Sequence, residues 1–239
     1  MFFHSIIYIY IDMAINGKLY PIVKATFTIT YILLLTTGTI IFIEALRSGT
    51  DSFTSHIMNL EVAISIIAGY FYSQFMNEIT RSEETNTHLD WNKLRLYRYV
   101  DWSITTPIML LVLCMFLSHN IGKVISVFTY LTIVVLNYIM LMFGYLGEIN
   151  IITLQTGLFG GFAAFFLMFG MIYKNFVFPK FSRSNYYLFG LYFVVWSLYG
   201  IVYLFDNEIK TILTNVLDLI SKCFVGLGLW TYYTNILVL

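Results

Sequence analysis

The sequence has few charged residues, few prolines and only two cysteines. Charged residues make up 11% of the 239 positions and hydrophobic residues 59%, whereas ordinary soluble domains carry roughly 25% charged residues. Such a composition cannot cover a water-soluble surface, and its hydrophobicity also excludes a disordered chain. Cys114 and Cys223 both lie in apolar stretches, so a disulfide framework is excluded. The 13 basic and 13 acidic residues balance, which argues against nucleic-acid binding through bulk charge. These absences indicate an integral membrane protein.

Seven apolar stretches are long enough to cross a bilayer, which takes about 20 residues in a helix. The gaps between them are short and polar, so neighbouring helices are expected to run antiparallel. The sequence therefore predicts an all-α membrane protein in which residues 21–239 form a bundle of seven transmembrane helices. The predicted spans lie near Phe27–Ala45, Ile57–Met76, Tyr97–Leu117, Lys123–Leu146, Ile151–Tyr173, Tyr186–Phe205 and Ile209–Leu237.

The first twenty residues do not fit a span. The apolar run Phe2–Ile11 is too short to cross a bilayer, and no basic region precedes it, which disfavours a cleaved signal peptide. We interpret residues 1–20 as an interfacial or capping segment. Basic residues of the loops are divided almost evenly between the two sides, so the positive-inside rule leaves the orientation open.

Five ionisable residues fall well inside the predicted spans, where a charge costs roughly 2.5–3.5 kcal/mol on insertion scales. Arg98 and Asp101 are three residues apart, and Asp218 and Lys222 are four apart, so each pair shares a helix face. Because their four charges sum to zero, they indicate a neutralised quartet around one internal site. The fifth residue is Glu61. A buried lysine in such a site either remains an ammonium in an ion pair or forms an imine with an aldehyde.

Aromatic residues recur close to this quartet. Trp102 lies in the third span, Tyr72 in the middle of the second, and Trp196, Tyr199 and Tyr203 follow one another at spacings of three and four in the sixth. Such a stripe is also typical of ordinary packing against lipid or other helices. The histidines lie in loops or at span ends, and no metal-ligand spacing is present.

Two long motifs resemble those of the microbial (type I) retinal rhodopsins, the bacteriorhodopsin and proteorhodopsin family. The third span reads Arg98-Tyr-Val-Asp-Trp-Ser-Ile-Thr-Thr-Pro107, similar to R-Y-x-D-W-x-x-T-T-P, and the seventh contains Leu217-Asp-Leu-Ile-Ser-Lys222, similar to L-D-x-x-x-K. The sixth span is similar to W-x-x-Y-P-x-x-W but has Gly200 for proline and Tyr203 for the last tryptophan. The resemblance covers most of the chain.

The resemblance implies a role for each member of the quartet. Lys222 would carry all-trans-retinal as a protonated Schiff base, with Asp101 as counterion and primary proton acceptor and Asp218 as second counterion. Arg98 would bridge the site to the extracellular half, and Thr105 would hydrogen-bond Asp101 from one turn away. The protein would be a photochemical transporter in the lipid bilayer, not an enzyme.

The resemblance also implies a retinal pocket. Tyr72 would steady the carboxylates, and the apolar Met109 would tune absorption to green. The other residues assigned to the pocket are Trp102, Thr106, Met140, Gly144, Trp196, Tyr199 and Tyr203. The chain would form a homo-oligomer in a cell membrane, that of a host if it belongs to the viral branch.

The proton donor is where the sequence departs from the pumps of the family. Those pumps usually carry a carboxylate eleven residues after the acceptor aspartate, a position occupied here by Val112. Glu61 precedes Tyr72 by the same eleven residues, about three helical turns, and antiparallel packing puts it in the cytoplasmic half. We hypothesise that Glu61, kept neutral by desolvation, is the donor. A glutamate in the second helix is similar to a feature of the viral branch of the family. The alternative is that Glu61 is a protonated packing residue or lines an ion path.

The sequence offers less on proton release. Paired glutamates of some family pumps are not matched before the seventh span, where Lys210 takes one of their places. Glu44 and Glu148 lie at span ends, and we interpret both as solvated or interfacial.

These features favour a light-driven outward proton pump over two other functions. A light-gated cation channel needs the same Lys222, Asp101 and Asp218, but Ser65 is thin support for a polar path along the second span. A sensory photoreceptor would act through a separate partner. A membrane scaffold without a chromophore would leave Lys222 unexplained, and Asp101 disfavours chloride or sodium pumping.

Overall fold

A computed structural model describes residues 18–47, 51–234 and 236, and these ranges form a bundle of seven long helices without a strand. The predicted seven-helix fold is confirmed, and the chain is an integral, multi-pass membrane protein. The helices are α1 (Tyr20–Ala45), α2 (Ser52–Thr85), α3 (Trp91–Asn120), α4 (Val127–Glu148), α5 (Leu154–Val177), α6 (Arg183–Val202) and α7 (Asn207–Tyr233).

Six of these helices are long and apolar enough to cross a membrane, and α2 is the exception among the described residues. Polar residues are spread along α2, and several of them, including Glu61 and Ser65, are buried inside the bundle. Large apolar side chains cover the outer surface instead, for example Ile32 on α1 and Phe128 on α4. This distribution is the one expected of a bundle surrounded by lipid. Homo-oligomer formation stays a prediction.

The first helix begins earlier than its predicted start at Phe27. Tyr20 opens α1, and Pro21 occupies the first turn, where its missing N–H costs no helical hydrogen bond. Lys24 lies within this early part of α1 and reaches Glu83 of α2 at 2.6 Å, so its charge is neutralised at the helix end. The prediction of a capping segment falls almost wholly on residues 1–17, outside the described residues.

Side-chain caps begin several helices. Asp51 accepts a hydrogen bond from the Thr54 main-chain N–H at 3.0 Å, and Asp90 accepts one from that of Lys93 at 3.0 Å. Such caps satisfy N–H groups that have no partner within the helix. The Thr54 hydroxyl and N–H together hold the pKa of Asp51 below its ordinary value. The cap of α2 is therefore lost only when the pH falls through that lowered pKa.

Antiparallel connections give the bundle two distinct ends. The loops after α2, α4 and α6 lie at one end, which we call the Arg98 end, and those after α1, α3 and α5 lie at the other, the Glu61 end. Salt bridges between helices concentrate at the Arg98 end: Glu83 pairs with Lys24, Glu78 with Lys93, and Glu148 with both Arg95 and Lys210. At the Glu61 end Glu44, in the last turn of α1, pairs with Arg47 just beyond the helix.

Two interior irregularities position the site. Pro107 leaves the Ser103 carbonyl without its helical donor, and the Tyr138 hydroxyl of α4 donates to that carbonyl at 3.1 Å. This hydrogen bond from α4 replaces the missing helical one, so the Ser103 carbonyl keeps a partner and α3 stays continuous. In α7 the turn Leu219–Phe224 is a π-helix that contains Lys222, a wide turn often found at functional sites.

Candidate functional site

The four quartet residues come together in the centre of the bundle. Lys222 Nζ lies 2.7 Å from Asp101 Oδ2 and 3.9 Å from Asp218 Oδ2, and Arg98 Nη1 lies 3.3 Å from Asp218 Oδ2. Asp101 and Asp218 are completely buried, and Lys222 is 2% exposed. The shortest ion pair therefore joins α7 to α3, while the two carboxylates flank one amine. Two positive and two negative charges neutralise each other away from water.

Asp218 is the better stabilised of the two carboxylates. Tyr199 and Trp102 donate hydrogen bonds to its Oδ1 at 2.7 and 3.4 Å, and Tyr72 and Arg98 donate to its Oδ2 at 2.8 and 3.3 Å. The four donors come from three helices, α2, α3 and α6, so the carboxylate is fixed in position. Hydrogen bonds to the charged form of an acid favour that form.

Asp101 has far fewer partners. Lys222 Nζ donates to its Oδ2, whereas its Oδ1 has no hydrogen-bond partner among the described residues. Thr105 was expected to support this carboxylate, but its hydroxyl donates to the main-chain carbonyl of Asp101 at 2.9 Å. This bond to the preceding turn is available to any helical threonine, so it holds Thr105 off the carboxylate. Asp101 is thus the carboxylate with free acceptor capacity beside the amine.

Asn215 is a member of the site that the sequence analysis did not identify. Its Oδ1 accepts from Arg98 Nη2 at 2.8 Å and from the Tyr72 hydroxyl at 3.2 Å, and its Nδ2 donates to Thr26 Oγ1 at 3.0 Å. Asn215 is completely buried. It links the guanidinium to α1 and α2. The available signal was its place three residues before Asp218, on the same face of α7.

A cavity of about 160 Å³ extends from Lys222 between α3, α4, α5, α6 and α7. Apolar and aromatic side chains form its wall near the amine, and Trp196 packs there against Phe169 and Tyr192 with ring centres 5.9 and 6.0 Å apart. The wall includes the residues that the sequence assigned to a retinal pocket, apart from Tyr72: Trp102, Thr106, Met109, Met140, Gly144, Trp196, Tyr199 and Tyr203.

Tyr203 lies at a different part of this cavity from Trp196. It follows the last residue of α6, its hydroxyl lies against Gly147 and Gly157, and Lys210 Nζ lies 5.4 Å from its ring centre. These contacts place Tyr203 toward the Arg98 end. Thr106 is held in the cavity wall from α4, because Asn137 donates to its hydroxyl at 2.8 Å.

Glu61 is buried on the opposite side of Lys222. Its side chain packs directly on Gly226, four residues beyond the lysine, where a Cβ atom would come within 3.0 Å of Glu61 Oε2. Glu61 is 2% exposed, and its Oε1 has no partner among the described residues. The nearby hydroxyls of Ser65 and Tyr192 also lack partners there. Val112 stands where the resemblance would place a donor carboxylate, and it is completely buried among apolar residues.

Glu148 is not the solvated residue that its position at a span end suggested. Its side chain is 10% exposed, Arg95 Nε lies 2.7 Å from its Oε2, and Lys210 Nζ lies 3.5 Å from its Oε1. The three groups line the cavity at the Arg98 end. The sequence around Glu148 did not indicate this burial, because its cationic partners come from two other helices.

Comparison with protein families gives one matching model, described as bacteriorhodopsin-like protein, over residues 23–236. A search of curated protein sequences found no match. Among solved structures, the viral rhodopsin OLPVRII is 40% identical, with a TM-score of 0.82 over 90% of this chain and 99% of that one.

Two more distant structures share the fold. Xanthorhodopsin, a light-driven ion pump with a dual chromophore, is 18% identical, with a TM-score of 0.71 over 92% of this chain and 96% of its own. The proton-pumping rhodopsin AR2 from the marine alga Acetabularia acetabulum is 16% identical, with a TM-score of 0.71 over 93% of this chain and 97% of its own.

Proposed function

The chain belongs to the bacteriorhodopsin-like protein family of seven-helix, retinal-binding membrane proteins, and we propose that it is a light-driven outward proton pump with retinal on Lys222. The observation that carries this proposal is the buried contact of 2.7 Å between Lys222 Nζ and Asp101 Oδ2. An amine and an under-coordinated carboxylate, enclosed together away from water, are what a proton transfer across this site requires.

The residues around Lys222 fit retinal. The amine opens into a cavity whose wall is made of apolar and aromatic side chains, among them Met109, Met140 and Trp196. The unpartnered Asp101 Oδ1 can accept a hydrogen bond from a protonated nitrogen at Lys222 or from a water molecule beside it. Bound there, retinal would supply absorption of visible light and a light-driven change in the direction of the N–H bond at the Lys222 nitrogen.

Unequal hydrogen bonding of the two carboxylates supports Asp101 as the proton acceptor. Asp218 receives four donors, whereas Asp101 receives only Lys222. A proton that leaves the Lys222 nitrogen therefore goes to Asp101 Oδ2, because that carboxylate has less stabilisation to lose. The transfer turns an ion pair into two neutral groups, which a low-dielectric interior favours.

Glu61 is the group proposed to return a proton to Lys222. It lies on the side of the lysine away from Arg98 and packs on Gly226 of α7. Its unpartnered Oε1 and the complete lack of a cation beside it among the described residues support a neutral, protonated carboxyl group before light. The Glu61 end then faces the cytoplasm and the Arg98 end faces outward.

The function is tested by the pH of a suspension of cells or vesicles that carry the protein with retinal. We expect illumination to acidify the outside of the cells and a protonophore to abolish the change. A photocurrent that follows the applied gradient instead identifies a channel. A photocycle without any ion movement identifies a sensor, and either of these results overturns the pump.

Glu61→Gln is expected to slow the return of the proton to the Lys222 nitrogen by about a hundredfold, the lower range for general acid catalysis. Flash spectroscopy at neutral pH measures the decay of the form in which that nitrogen is deprotonated. Glu44→Gln is a matched control, because Glu44 lies at the same end of the bundle and pairs with Arg47, just beyond the end of α1. An unchanged decay in Glu61→Gln would rule out the donor.

A further inference from the structure

The cavity at Lys222 does not end at the quartet. It continues past Arg98 and Thr214 to the Arg98 end of the bundle, where Arg95, Glu148 and Lys210 line it. The part near Lys222 is apolar and aromatic, whereas this outer part is polar. The polar part supplies a route for a proton between the quartet and the surface.

The side of Arg98 that faces α1 and α2 is packed with aromatic rings, apart from the hydrogen-bonded link through Asn215 to Thr26. The guanidinium carbon lies 5.0 Å from the ring centre of Phe75 and 5.7 Å from that of Phe27. These two rings pack on each other and on Tyr72, with centres 5.0 to 5.9 Å apart. All three are buried, so aromatic packing closes the bundle there, and a proton leaving the quartet is directed into the cavity.

Glu148 is the carboxylate at the far end of that cavity. Arg95 binds its Oε2 and Lys210 approaches its Oε1, while the Tyr99 and Tyr203 hydroxyls are the other titratable groups that face it. The groups come from α3, α6 and α7. The two cations hold this carboxylate at the outer end of the cavity, where a proton that reaches it can pass on to external water.

We propose that Glu148 is the carboxylate through which protons leave the protein. The inference rests on the proposed pump and deepens it. The O–H bond of protonated Asp101 breaks, Asp101 returns to its anion, and the Glu148 carboxylate takes up the proton through water in the cavity. Glu148 then gives the proton to external water and recovers its pairs with Arg95 and Lys210. Protons consequently appear outside only in the last part of the cycle.

Glu148→Gln is the variant that tests this route, because it keeps the size of the side chain and removes its ability to accept a proton. Glu78→Gln is a closely matched control. Glu78 lies at the same end, is similarly buried, and is held by Lys93 and by Arg81, whose Nη2 lies 3.5 Å from Oε2. It differs in one respect: Glu78 does not line the cavity. Glu148→Asp serves as the conservative variant that restores a carboxylate.

Two signals are recorded after a flash: the infrared C=O band of protonated Asp101, and the arrival of protons at a pH-sensitive dye outside vesicles. In Glu148→Gln we expect both the loss of the band and the dye signal to slow at least tenfold. The absorption maximum and the formation of the band should stay unchanged, which shows that the protein is folded. Glu78→Gln and Glu148→Asp should stay within about threefold of the wild type.

Equal rates in Glu148→Gln and Glu78→Gln overturn the exit route while a wild type that acidifies the medium keeps the pump. Early appearance of protons, before the Asp101 band decays, also overturns it. A wild-type protein that moves no protons overturns the pump and the exit route together.

Discussion

Lys222→Ala is expected to give a protein that stays colourless when retinal is supplied. Lys222 is the one lysine among the described residues that is buried within the bundle, and its amine opens into the cavity. The substitution also leaves Arg98 as the one cation of the quartet to balance the two carboxylates of Asp101 and Asp218. Removing one partner of a buried ion pair costs about 3–5 kcal/mol, so a lower melting temperature is expected as well. Absorption spectroscopy of the purified protein measures the first effect and thermal unfolding the second.

Lys210→Ala is the matched control for this experiment. Lys210 lines the same cavity at its outer end, at 3.5 Å from Glu148, and the variant should bind retinal and keep its colour. If Lys222→Ala remained coloured, the covalent attachment and every role derived from it would be wrong.

Asp101→Asn is expected to abolish light-driven acidification and to shift the absorption maximum to longer wavelength. The amide cannot accept the proton from the Lys222 nitrogen, and loss of general acid–base catalysis lowers rates by about 10²–10⁴-fold. The shift arises because less negative charge then holds the positive charge near that nitrogen. Asp218, with its four donors, is too well stabilised to take over as acceptor.

Thr105→Val is the control that changes a neighbour of Asp101 without changing its carboxylate. Because Thr105 donates to the main-chain carbonyl of Asp101, its loss should leave the absorption maximum within a few nanometres of the wild type and acidification intact. Continued acidification by Asp101→Asn would contradict the assignment of the acceptor.

Spacing along the sequence indicated the quartet, whereas the pairing of Lys222 with Asp101 was implied only by the resemblance to the retinal rhodopsins. Residues three and four apart on one helix indicate a shared face, which correctly brought Arg98 near Asp101 and Asp218 near Lys222. The shortest pairs are instead Lys222 with Asp101 and Arg98 with Asp218, each across α3 and α7. Which pairs form depends on how the two helices are rotated relative to each other, and that is decided by the packing of the whole bundle.

Burial at helix ends was the other property beyond sequence reasoning. The predicted first span began at Phe27, yet the ion pair of Lys24 with Glu83 allows the helix to begin at Tyr20. Glu148 was interpreted as solvated or interfacial because its two cationic partners are more than fifty residues away along the chain. Local composition does not report a charge that is neutralised by a distant residue.

The uneven distribution of salt bridges has a mechanical consequence. At the Arg98 end ionic clamps fasten α1 to α2, α2 to α3, and α4 to both α3 and α7. At the Glu61 end the contacts are softer, such as the amide pair Asn120–Asn185 between α3 and α6. In the proposed pump we therefore expect strain at Lys222 to move the helices apart at the Glu61 end, where it would admit water toward Glu61, while the Arg98 end stays anchored.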